Sequence, residues 1–104
     1  MKRIAFKMQL FHGCEAEYKR RHEAIWPELL QLLKQSGIQD YSIFLDKNTN
    51  SLFAVLKTIN EMSMERLPNE PVMQRWWEYM KDIMETNPDH SPVSIPLQEV
   101  FYLP

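Results

Sequence analysis

Gln39-Asp40-Tyr41-Ser42-Ile43-Phe44-Leu45-Asp46-Lys47-Asn48-Thr49-Asn50-Ser51-Leu52-Phe53-Ala54-Val55-Leu56-Lys57-Thr58-Ile59 holds two apolar runs around one polar turn. The first run, Gln39–Leu45, puts Tyr41, Ile43 and Leu45 on one face of a strand and Ser42 and Phe44 on the other. The second, Leu52–Ile59, is apolar on both faces through Leu56. Asp46–Asn50 is turn chemistry, so the stretch is a β-hairpin. What flanks it decides the fold.

Upstream, Ile4, Phe6, Met8 and Leu10 alternate with Arg3, Lys7 and Gln9, which predicts a first strand ended by His12-Gly13. A helix follows from about Glu15 to Ser36, with Gly37 as its C-terminal stop. At about 100° per residue, Tyr18, His22, Ile25, Leu29, Leu32, Leu33 and Ser36 share one stripe, which faces the core. Pro27 kinks this helix or divides it near Trp26 and opens a second one. Downstream, Asn60 caps a short helix running to Leu67. A longer helix starts near Pro71 and carries Met73, Trp76, Trp77, Met80 and Met84, with Trp77 near the centre of the stripe and Trp76 at its edge. Asn87–Pro92 is a rigid polar loop, and Leu97–Leu103 is the last strand.

The order β-α-β-β-α-β predicts an α+β, ferredoxin-like fold, an antiparallel sheet with helices on one face. Two helices cover one face only. The doubly apolar third strand therefore predicts a homodimer, sheet against sheet, closing a dimeric α/β barrel.

With 104 residues the chain is one domain, residues 1–104. A formal net charge of −2 gives no reason to expect nucleic acid or an anionic membrane. The basic run Lys19-Arg20-Arg21 reads as a solvated helix face. Cys14 is the single cysteine, more readily a bystander than a nucleophile, and fits a reducing compartment. Met1-Lys2-Arg3 is not expected to open a signal peptide, since Lys7 and Gln9 break the apolar stretch behind it and no small-residue cleavage site follows. No segment approaches the roughly 20 apolar residues of a bilayer span. A cytoplasmic location is expected.

Tyr18, His22, Tyr41, Trp76 and Trp77 are the chemically informative residues. Indoles and phenols offer flat apolar surfaces with a polar handle, suited to the faces of a sugar. Histidine exchanges protons near neutral pH. Aromatic pairs and lone histidines on helices are more often core residues, but the expected fold brings these five toward one place. His12 and His90 fall in polar turns and read as surface residues. Two glycines leave no phosphate-cradling loop, the three histidines have no metal-ligand spacing, and no serine sits in a nucleophile elbow. Acid-base chemistry without an obvious cofactor, on a ligand stacked against aromatics, remains.

Tyr18–His22, Ile25–Leu29, Tyr41–Leu45, Gln74–Met80, Asn87–Asp89 and Leu97–Leu103 closely resemble the L-rhamnose mutarotase family, in the same order along nearly the whole chain. The likeness weakens around Phe11–Glu15 and over Asn60–Glu70, and His90 departs from the family's loop. The resemblance implies a cytoplasmic, cofactor-free homodimer that interconverts the α and β anomers of L-rhamnose. It implies His22 as the catalytic proton donor, with Tyr18, Tyr41, Trp76 and Trp77 as sugar-binding residues.

Mutarotation needs an acid at the ring oxygen and a base at the anomeric hydroxyl, so that the ring opens, the carbonyl rotates and the ring recloses. His22 is placed at the ring oxygen, leaving Tyr18, a carboxylate or water as the second group. Two rival readings have a similar footprint: a haem-binding or monooxygenase-type barrel with His22 as axial ligand, and a sugar-binding module without catalysis.

Overall fold

The computed structural model describes residues 1–104. Its elements are β1 (Lys2–Gln9), α1 (Glu15–Glu23), α2 (Pro27–Gln35), β2 (Ile38–Asp46), β3 (Ser51–Thr58), α3 (Glu61–Glu65), α4 (Pro71–Met80) and β4 (Ile95–Leu97), with a 3-10 turn at Leu67–Asn69. The sheet order is β2-β3-β1-β4, and every pairing is antiparallel. This is the expected ferredoxin-like plan.

The sheet's inner face carries Leu52, Ala54, Leu56 and Thr58 of β3 opposite Met8, Phe6, Ile4 and Lys2 of β1. Leu29 of α2 and Met73, Trp76 and Met80 of α4 belong to the same buried core as Leu52, Ala54 and Leu56. Burying one such side chain contributes about 1.5–3 kcal/mol, so this layer dominates stability.

The segment Glu15–Ser36 is two helices, not one. α1 ends at Glu23 and Pro27 opens α2 at its first position, where a missing N–H costs nothing. Trp26, extended at ψ 133°, turns the chain between them. Gly37 ends α2 as expected, at φ +83°, with its N–H on the Lys34 carbonyl. Asn60 caps α3, its side-chain oxygen accepting from the N–H groups of Met62 and Ser63; the helix is shorter than expected and passes into the 3-10 turn around Pro68.

The last strand also differs from expectation. Only Ile95–Leu97 pairs with β1, and Gln98–Pro104 continues unpaired. Arg3 holds that tail through Glu99 and by lying over the Tyr102 ring. The alternation seen in Leu97–Leu103 is real, but within one chain no surface covers it, and Val100, Phe101 and Leu103 stay exposed.

The sheet's outer face is apolar too. Val55 and Phe53 of β3, Phe44 of β2 and Ile95 and Leu97 of β4 lie there, with Phe44 62% exposed and Ile95 55%. No helix crosses this side. No helix is long and apolar enough to span a membrane.

Candidate active site

Three elements bring the expected residues together. α1 supplies Tyr18 and His22 one turn apart, α4 supplies Trp76 and Trp77, and β2 supplies Tyr41. All five line one cleft between the sheet and the helices.

Tyr41 reaches the cleft through a β-bulge. Gln39 pairs with Lys57 and Ser42 with Val55, so Asp40 and Tyr41 together oppose Leu56 alone. Asp40 takes up the extra residue at φ +50°. Without the bulge, strict alternation would place Tyr41 beside Val55 on the outer face. With it, Ile38 and Tyr41 both point inward.

His22 stands between two aromatic rings. The Tyr18 ring centroid is 4.3 Å from its imidazole, at an interplanar angle of 31°. The Trp76 indole meets it edge-on at 5.4 Å. His22 Nδ1 is 3.0 Å from the Tyr18 carbonyl oxygen, a contact that places the N–H on Nδ1 and leaves Nε2 with a lone pair. Burial lowers the His22 pKa from its ordinary 6.5, partly opposed by that hydrogen bond. At neutral pH His22 is therefore a neutral base.

Both phenols behave as firm proton holders. Burial raises the Tyr18 hydroxyl well above its usual range, with a further contribution from Tyr41, and raises Tyr41 to about 12. Tyr41 keeps 39% of its surface exposed as a residue, so its raised pKa reflects the hydroxyl end, which lies in the cleft. Neither hydroxyl has a partner within the chain, so both remain available to a ligand.

The two indoles exchange the places expected of them. Trp76 is 7% exposed and sits inside the core cluster, whereas Trp77 is half-buried at its border. Trp26 and Tyr79 account for this: Trp26 meets Trp76 edge-on at 5.1 Å, and Tyr79 lies 5.7 Å from Trp76 while stacking on Trp26 at 5.6 Å. Met84 lies beyond the end of α4 and joins the core from an isolated bridge to Leu10.

Sequence reasoning did not single out four groups near this site. Trp26 and Tyr79 support Trp76, and Asn87 and Ser91 add polar lining to the cleft. Asn87 donates to the Ser91 hydroxyl at 3.0 Å, and Ser91 donates to Asp89. Their signal was present: Trp26, Tyr79 and Asn87 all fall within the segments that carry the family likeness. His12 is exposed, as expected, and His90 half-buried in its loop.

The family model for L-rhamnose mutarotase matches residues 3–103. The chain belongs to the L-rhamnose mutarotase family. It is 57% identical over 104 residues to an L-rhamnose mutarotase of Jannaschia sp. (strain CCS1), covering 100% of both chains. It is 60% identical over 103 residues to one from Bacteroides thetaiotaomicron, covering 99% of each. The crystal structure of an L-rhamnose mutarotase from Formosa agariphila superposes with a TM-score of 0.93 at 51% identity, over 100% of both chains. Membership of this family favours neither the haem-type reading nor the non-catalytic module.

Proposed function

We propose that this protein is an isomerase that interconverts the α and β anomers of L-rhamnose in the cleft between sheet and helices. The observation that carries the mechanism is the His22 Nδ1 contact to the Tyr18 carbonyl, because it assigns the imidazole N–H to Nδ1 and leaves Nε2 as the lone-pair nitrogen.

In the resting state Nε2 is the lone-pair nitrogen, so His22 first acts as base and takes the proton of the anomeric hydroxyl. As the C1–O5 bond breaks, the imidazolium hands that proton on to the ring oxygen, which shares C1 with O1. The Tyr18 hydroxyl keeps its own proton and supports the ring oxygen by donating a hydrogen bond. The open-chain aldehyde then sits beside a neutral imidazole and a neutral phenol. After the carbonyl rotates, the 5-hydroxyl attacks its other face and gives its proton to His22, which returns it to O1. His22 is thus a base and then the proton donor on opening and again on closure, and no net proton is consumed. One such positioned group contributes about 10²–10⁴-fold.

Tyr41, Trp76 and Trp77 bind and orient the sugar: the indoles cover the methyl group and C–H faces, and the phenol meets a hydroxyl. The groups that move protons belong to the chain itself, so the reaction needs neither metal nor cofactor. We further propose that the single domain works as a cytoplasmic homodimer, with the outer sheet faces of two copies packed together. The exposed apolar side chains of β2, β3 and β4 support that arrangement.

Saturation-transfer NMR between the α and β anomeric protons of L-rhamnose tests substrate and reaction together. Exchange well above the spontaneous rate is expected. A protein that binds rhamnose without accelerating exchange would be a sugar-binding module instead.

A further inference from the structure

The basic run at Lys19-Arg20-Arg21 is not uniformly solvated. Lys19 and Arg20 are exposed, but Arg21 is only 8% exposed. Its guanidinium donates from Nη1 to the Tyr79 carbonyl at 2.6 Å and to Asp82 Oδ1 at 2.9 Å, from Nη2 to Asp82 Oδ2 at 3.1 Å, and from Nε to Glu17 at 2.7 Å. The same guanidinium lies 4.3 Å over the Tyr79 ring. Lysine cannot reproduce this fork, which is planar and multiply donating.

The placement of these contacts is what matters. At the other end of the helix, Asn50 donates a hydrogen bond to Glu15. Arg21 therefore holds the end of α1 that carries His22. Its grip also closes a ring of contacts: Arg21 on Tyr79, Tyr79 on Trp76, Trp76 edge-on to His22, and His22 next to Arg21 in the chain.

We propose that Arg21 is a positioning residue for mutarotation, setting the distance between the His22 imidazole and the Trp76 wall by clamping α1 to the end of α4 through Tyr79 and Asp82. The inference rests on the reading of His22 and Trp76 given above. Arg21 has no route to the sugar itself, since Tyr79 covers its guanidinium and its donors are committed to Glu17, Tyr79 and Asp82. Losing the clamp should displace the base without removing any group that binds substrate, and a misplacement of about 1 Å costs about 100-fold in rate.

The experiment compares Arg21→Met, Arg21→Lys and Asp82→Asn with wild type and His22→Ala, reading anomer-exchange kcat and KM by NMR and fold by near-ultraviolet circular dichroism. Arg21→Met should lower kcat about 10- to 100-fold with KM changed less than about threefold. Arg21→Lys should recover part of that loss, and Asp82→Asn, which keeps the Tyr79 contact, should lose less. If Arg21→Met does not fold, the same kcat-against-KM split in Asp82→Asn decides. Wild-type kcat in a folded Arg21→Met, or a loss confined to KM, overturns the clamp. Absence of catalysed exchange in the wild type, or full exchange in His22→Ala, overturns the underlying reading instead.

Discussion

The Nδ1 atom of His22 lies 3.0 Å from the carbonyl oxygen of Tyr18, one turn earlier on the same helix. This contact orients the ring and selects its tautomer, leaving Nε2 as the nitrogen with a lone pair. The consequences are measurable.

Anomer exchange should depend on pH through His22 alone across the ordinary range. Its pKa is lowered from 6.5 by burial, so kcat should be level through neutral pH and fall as the pH drops through that lowered value. The phenols hold their protons far higher, Tyr41 to about 12, so no alkaline decline is expected up to about pH 10. Folding stability should decline in the same acid direction, because below pH 6.5 the unfolded chain takes up a proton that the buried imidazole resists. A rate that instead falls as pH rises through 6 to 7 would mean that His22 must start protonated.

His22→Ala should remove most catalysed exchange, a loss of about 10²–10⁴-fold, while rhamnose binding and fold persist. His22→Gln keeps polarity without acid-base capacity and should be equally inactive. Near-wild-type exchange in either folded variant would place catalysis on another residue.

The two indoles should separate by stability. Trp76→Leu removes a buried ring packed by Trp26, Tyr79 and His22, and should cost about 2–4 kcal/mol in denaturant unfolding as well as affinity. Trp77→Leu, at the half-buried border of the cleft, should unfold close to wild type yet bind rhamnose more weakly and discriminate less against sugars with a 6-hydroxyl. Unchanged affinity and sugar preference in Trp77→Leu would make it a packing residue only.

The outer sheet face predicts its own variant. Light scattering at micromolar concentration should give twice the monomer mass for the native protein and a monomer for Phe44→Glu, which sets a charge on the most exposed apolar position of β2. A native monomer would leave this face without its proposed cover.

Local pattern carried most of the fold. Alternation in β1, β2 and β3, the glycine after α2, the asparagine before α3 and the proline at the start of α4 are each read from a few neighbouring residues, because backbone preference and face periodicity are local properties. The likeness to one family likewise picked out Tyr18, His22, Tyr41, Trp76 and Trp77, and the fold does place them in one cleft.

Other features depend on residues far apart in the chain, and only the tertiary structure decided them. The extent of the last strand depends on what pairs with it and covers its apolar side chains, and a single chain offers no strand partner beyond Leu97. Helix spacing put Trp77 at the centre of its stripe, but the neighbours Trp26 and Tyr79 bury Trp76 instead. Arg21 reads as one of three surface cations until Asp82 and the Tyr79 carbonyl, some sixty residues away, are folded against it. Burial and partnership are pairwise properties. Sequence determined which side chains each element could present, while packing decided which of them were buried and which partners they met.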